Sequence, residues 1–157
     1  MSFTSRLNEL GITLPAVAAP VADYVPALRI GSLVHTSGQL PFIDGELPAT
    51  GKVGVGEGLV PPEEAKTLAR TAGLNAIAAA ADAAGGIDRI ARVVKVVGFV
   101  SSAPDFTGQP GVINGVSELL GEVFGEAGAH ARSAVGVAVL PLDSPVEVEI
   151  TVELVAD

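Results

Sequence analysis

Val146-Glu147-Val148-Glu149-Ile150-Thr151-Val152-Glu153-Leu154 alternates without a break. Side chains on a strand point to opposite faces with a period of two, so Val148, Ile150, Val152 and Leu154 predict a buried face and Glu147, Glu149, Thr151 and Glu153 the reverse one. A sheet packed on one side is the fold that this stretch asks for. Arg132 to Leu140 reads as a strand too and leads into a turn at Leu142-Asp143-Ser144-Pro145, so the end of the chain predicts a hairpin. In that reading Val135, Val137 and Val139 continue the core face, while Arg132, Ala134, Gly136 and Ala138 fall on the other. With Pro141 opposite Val146, Arg132 and Glu147 share the non-core face but lie far apart along it, about 25 Å at strand rise. One hairpin cannot make one site of them.

Further back, Val112, Ile113, Val116, Leu119, Leu120, Val123 and Phe124 form an apolar stripe on a helix of roughly Pro110 to Ala127. Arg92 to Val100 is β-branched almost throughout and predicts a strand covered on both faces. Pro61-Pro62-Glu63-Glu64 puts proline and acids in the first turn of a second helix. Its apolar residues, Ala65, Leu68, Ala69, Ala72, Ala76, Ile77 and Ala80, recur at helical spacing, and Gly85-Gly86 ends it. The glycine-rich stretch 41–60 lacks periodicity and predicts a long irregular loop, the segment expected to be most mobile. Tyr24 to Ile30 and Leu33 to Gln39 predict two strands joined tightly through Gly31-Ser32. A short helix from Ser2 to Leu10, stopped by Gly11, and an extended arm to Pro20 complete residues 1–20. No repeat or linker divides the chain, so residues 1–157 are expected to form one α+β domain.

With 157 residues and 48% hydrophobic composition the chain is long enough to bury a real core. It has no cysteine, which excludes disulfides, thiolate metal sites and cysteine nucleophiles and fits a reducing cytoplasm. No signal-peptide pattern and no apolar run of ~18 residues or more stands out, so neither export nor membrane insertion is expected. A net charge of −9 without a basic stripe argues against nucleic acid as a partner. The two histidines, His35 and His130, have no ligand spacing and are expected to be surface or packing residues; no metal or other cofactor is expected. Gly54-Val55-Gly56-Glu57-Gly58 lacks the Lys-Ser/Thr that a phosphate loop needs and reads as plain loop.

A face of alanine and glycine flanked by charges suits close approach by another sheet. A symmetric oligomer would bring Arg132 of one subunit toward Glu147 of a neighbour. Arginine forks two hydrogen bonds onto a carboxylate, and a glutamate facing the same cavity can orient or activate water. The pair points to hydrolysis of a small carboxylate-bearing substrate.

The order of elements, with Ser37-Gly38-Gln39-Leu40-Pro41 ending the second strand, Ala131-Arg132-Ser133-Ala134-Val135 opening another, and Leu140-Pro141 followed by Val146-Glu147-Val148-Glu149, resembles the YjgF/RidA family, also known as endoribonuclease L-PSP. The likeness covers Tyr24 to Val155. It implies a chorismate-mutase-like α+β fold with two helices on one face of a mixed sheet, and a homotrimer with clefts between subunits. It also implies deamination of enamines and imines such as 2-aminoacrylate and 2-iminobutanoate. Carried over by position, Arg132 grips the substrate carboxylate, Glu147 places the attacking water, and Tyr24, Gly38, Asn114 and Ala134 line the cleft. The chain departs from the family in several places: Ala22-Asp23-Tyr24-Val25 replaces Gly-Pro-Tyr-Ser, Ala134 replaces a common cysteine, Gly136 a frequent glutamate, and the loop from Pro41 to Val60 and the N-terminal arm are longer. These changes mark a divergent subgroup. They keep open a non-catalytic module that binds small carboxylates; endoribonuclease activity is disfavoured by charge.

Overall fold

Ser2 opens the first helix, α1 (Phe3–Leu10), by accepting a hydrogen bond from the Ser5 N–H at 3.1 Å, and Gly11 closes it in the left-handed region at φ 66°. The computed structural model describes residues 1–20 and 22–156. Thr4 fastens α1 to the body of the protein: its Oγ1 and N–H donate to the two Asp88 carboxylate oxygens at 2.7 and 3.1 Å. Those bonds, the side-chain one foremost, hold the Asp88 carboxyl below its ordinary range.

β1 (Ala27–Ile30) and β2 (Leu33–Thr36) form an antiparallel hairpin around Gly31-Ser32. Both strands are shorter than the sequence predicts. Tyr24 precedes β1, and the chain leaves the sheet at Ser37-Gly38 before Gln39 rejoins it by pairing with Val148. The 41–60 segment is irregular but fastened at its middle, where buried Val53 donates to the Ser101 carbonyl and accepts from the Ala103 N–H. Pro62 and two glutamates start α2 (Pro62–Ala84), and Gly85 stops it at φ 83°. β3 (Ile90–Ser101), α3 (Gln109–Phe124) and β4 (Ala131–Val137) follow as a strand, crossover helix and parallel strand, and β5 (Val146–Leu154) ends the fold.

The sheet order is β1-β2-β5-β3-β4, mixed, with β3 and β4 the parallel pair. Helices α2 and α3 pack on one face, over Val34, Val93, Val96, Val100, Val148, Ile150 and Val152. Gly115 makes the two helices' close approach possible, since a Cβ there would run into the Lys66 carbonyl. Arg70–Glu122 at 2.7 Å and Lys66–Glu118 at 2.9 Å bridge the same pair at the surface. The alternation of β5 reads as expected: Val146, Val148, Ile150, Val152 and Leu154 are buried, the residues between them only partly.

The terminal hairpin is not formed. β3 lies between β4 and β5, and the chain crosses the end of β3 through a turn in which Leu142 and Asp143 take φ of 57° and 58°. The faces of β4 are also exchanged. Arg132, Ala134 and Gly136 register with Val96, Gly98 and Val100 on the helix side, whereas Ser133, Val135 and Val137 register with Val97, Phe99 and Ser101. β4 is an edge strand at the rim of the helix layer. Small and polar residues fit beneath α3 there; the Gln109 amide and the Ser102 hydroxyl fill the space that a Gly136 side chain would take. β3, expected to be covered on both faces, is covered by helices on one, with Val97 and Phe99 half-buried on the other.

Candidate functional site

Arg132 lies half-buried on β4 with its guanidinium against α3. Nη1 donates to Asn114 Oδ1 at 2.8 Å and to Ser117 Oγ at 3.1 Å, and Nη2 to the Pro110 carbonyl at 3.3 Å. All three acceptors are neutral. The arginines and lysine at Arg6, Lys66 and Arg70 each meet a glutamate; Arg132 has no carboxylate partner among the described residues. A guanidinium carries five N–H donors. The bonds to the protein leave the Nε–H and one Nη2–H to offer an anion, the two-donor fork that fits a carboxylate. Ala134 follows two residues on, on the same face, opposite Gly98.

Glu147 stands on the reverse face of the sheet, opposite Phe99. It therefore does not share a face with Arg132, as the hairpin reading required; within one protomer the two are separated by β3 and by the sheet itself. The Glu147 carboxylate instead lies over the backbone of Gly38. A Cβ built on Gly38 would sit 2.7 Å from its carboxyl carbon, so only glycine admits the acid there. No hydrogen bond or ion pair reaches that carboxylate among the described residues. Burial pushes its pKa above the ordinary carboxyl range, and the neighbouring Glu149 charge pushes the same way. Among the described residues the Gly38 N–H has no backbone acceptor.

Tyr24 and Gly38 line one small pocket, with Pro26, Gln39, Leu40 and Phe42. The only tyrosine is 44% exposed, which rules out core packing as its role. The six candidate residues thus form two half-sites in one protomer: Arg132, Asn114 and Ala134 at the β4 edge, and Tyr24, Gly38 and Glu147 at the β1–β2 end. Two further residues escaped the sequence reading. Ser117, one helical turn after Asn114, and His130, two residues before Arg132, both join the first half-site. Their spacing was the available signal, an i,i+3 pair on one helix face and a residue two before Arg132, just ahead of β4. The His35 imidazole, by contrast, meets the Thr151 hydroxyl on the open face, at 3.1 Å. No group of three or more His, Cys, Asp or Glu with metal-binding geometry occurs among the described residues.

The YjgF/chorismate mutase-like family model matches residues 4–154. The chain belongs to this family. Its relatives include protein TCP17 of Trypanosoma cruzi, 45% identical over 151 residues that cover 96% of this chain and 92% of that protein. A Salmonella typhimurium relative named 2-iminobutanoate/2-iminopropanoate deaminase is 35% identical, over 83% of this chain and 87% of its own length. Among solved structures, Agrobacterium tumefaciens Atu1372, of unknown function, superposes with a TM-score of 0.86 at 44% identity, covering 98% of this chain and 92% of that one. Escherichia coli TdcF with bound serine superposes with a TM-score of 0.60 at 27% identity, covering 91% and 96%.

Proposed function

We propose that the protein hydrolyses the imine and enamine forms of small 2-keto acids, of the 2-aminoacrylate or 2-iminobutanoate type, in clefts between the subunits of a homotrimer. The observation that carries this reading is the Arg132 guanidinium, held by three neutral acceptors with two donors to spare. A fixed cation without a counter-charge is an anion site. The deaminase name of the Salmonella relative and the serine bound to TdcF, a small carboxylate ligand, both support it.

The half-sites lie on opposite faces of the sheet, so they complete one another across subunits rather than within one. The half-buried open face of β3, β4 and β5, with Val97, Phe99 and Val135, is the surface through which subunits would meet. In the assembled cleft Arg132 clasps the substrate carboxylate while Glu147 of a neighbour takes a proton from water. The water oxygen bonds to the imine carbon as the C=N π pair moves to nitrogen. Glu147 then returns the proton to the nitrogen, giving a carbinolamine; it next takes the hydroxyl proton and passes it to the nitrogen as the C–N bond breaks, so that ammonia leaves and the oxygen lone pair closes the keto group. An imine is already electrophilic, so orientation and one base are enough and no covalent intermediate is required. The free Gly38 N–H and the Ala134 amide are the candidate donors for polarising the substrate.

A test is keto-acid release from enzymatically generated 2-aminoacrylate and 2-iminobutanoate, with the generating enzyme held constant. Arg132→Ala should lower the acceleration by about a hundredfold or more without loss of fold, as expected when a bidentate anchor is removed. Retained acceleration in that variant would overturn the assignment. A second reading, a carboxylate-binding module without turnover, is favoured by the bare methyl of Ala134 beside the anchor; binding that depends on Arg132 with no keto-acid release selects it.

A further inference from the structure

His130 and Ser117 have no part in the chemistry above, yet the imidazole is engaged at both nitrogens. His130 Nδ1 lies 2.6 Å from the Gly128 carbonyl and Nε2 lies 2.9 Å from Ser117 Oγ. A carbonyl only accepts, so Nδ1 carries a proton, and in the neutral imidazole Nε2 then presents its lone pair. Ser117 has one hydroxyl hydrogen, and Arg132 Nη1, 3.1 Å away, can only donate. The Ser117 oxygen therefore accepts from Arg132 and gives its hydrogen to His130. Each donor points the same way, from Arg132 through Ser117 and His130 to the Gly128 backbone. This chain joins α3 to the start of β4.

We infer that Ser117 and His130 are positioning residues for Arg132: the one-way hydrogen-bond chain fixes the guanidinium with its unused donors outward, ready for a carboxylate. The inference rests on the reading of Arg132 as the substrate anchor. An arginine side chain has many rotamers, and one held in place before the ligand arrives forfeits less freedom on binding. Asn114 is exposed and the Pro110 contact is long, so the half-buried Ser117–His130 branch is the more sheltered part of the clamp.

The test combines two magnetic-resonance readouts with kinetics on the intact protein. Nitrogen-15 shifts at pH 8.5 should show His130 protonated at Nδ1 and bare at Nε2; a proton on Nε2 overturns the chain. The side-chain nitrogens of Arg132 should give separate, slowly exchanging Nη signals in the wild type that collapse in Ser117→Ala and return in Ser117→Thr. Unchanged signals in Ser117→Ala overturn the positioning role. Kinetically, Ser117→Ala and His130→Ala should each raise KM for the imine about tenfold with kcat within about twofold, the pattern of lost uniform binding. The double variant should cost no more than the worse single one, because both act through one chain. A fall in kcat at unchanged KM, or additive losses, would speak against it. If the wild type turns over no imine, the deaminase reading fails while the resonance experiments still decide whether Ser117 and His130 hold Arg132.

Discussion

The two faces of the sheet differ in what completes them. Beneath the helices, Val34, Val93, Val96, Val100, Val146, Val148 and Val152 are fully buried; α2 answers with Leu68 and Ile77, and α3 with Ile113, Val116, Leu119 and Leu120. On the reverse face Val135 is 43% exposed and Leu28 and Ile30 more than half, among the partly buried Glu147, Glu149 and Glu153. Burying a Val, Leu or Ile side chain is worth roughly 1.5–3 kcal/mol, so stability resides on the first face. The second leaves apolar area and an underhydrated acid in the protomer. The division teaches where to look for chemistry: the face that the helices leave uncovered is the face that carries Glu147.

Substitutions on either side sharpen or break that contrast. Leu120→Ala, on the covered side, should cost about 3 kcal/mol through the cavity it leaves, read by urea unfolding at fixed protein concentration; a cost below about 1 kcal/mol would mean that the helix layer is not the stabilising one. Phe99→Glu, on the open side, should leave the far-ultraviolet circular dichroism intact but convert the sedimenting species from the proposed trimer to monomer and abolish the proposed imine turnover with it. A variant that stays trimeric and active would remove this face from the interface.

Glu147→Gln should have the smallest effect on stability, within about 0.5 kcal/mol, and a clear effect on pH dependence. Because the folded pKa is raised, the stabilising preference for the protonated form is fully present below the unfolded value and is lost as pH rises through the folded one. Urea midpoints of the wild type should therefore fall relative to Glu147→Gln across that interval. Turnover should run the opposite way, rising with pH as Glu147 ionises into a base, from a limb displaced upward of an ordinary carboxylate. Parallel midpoints for the two proteins would contradict the raised pKa.

Much of this architecture is legible in the residues. The strict alternation of β5, the stripe of α3 and the Pro-Glu-Glu start and Gly85 stop of α2 all fix elements by local rules that tertiary packing did not override. The faces of β4 were not legible. A period of two separates Arg132, Ala134 and Gly136 from Ser133, Val135 and Val137, but it does not say which set the helices cover, and hydrophobicity favours the wrong one at an edge strand whose helix side is polar. The short 138–145 segment likewise looks like a hairpin turn, although positive φ at Leu142 and Asp143 carries it across the end of β3. At the site, Arg132 and Glu147 stand out by residue type and flanking motif. Ser117 and His130 do not, because their value lies in a hydrogen-bond direction that only three-dimensional proximity creates.

Nine of the thirteen buried residues of α2 are alanines. Alanine has no rotamers to freeze, so this helix docks on the sheet at almost no side-chain entropy cost, and it has little volume left to lose. Random mutation would meet an asymmetric landscape here. Truncation has almost nothing to remove, whereas nearly every replacement is an enlargement that must push the helix off the sheet. The longest helix of the protein is thus guarded by smallness, and the substitutions that chemists usually regard as mild, alanine to valine or leucine, are the ones it should tolerate least.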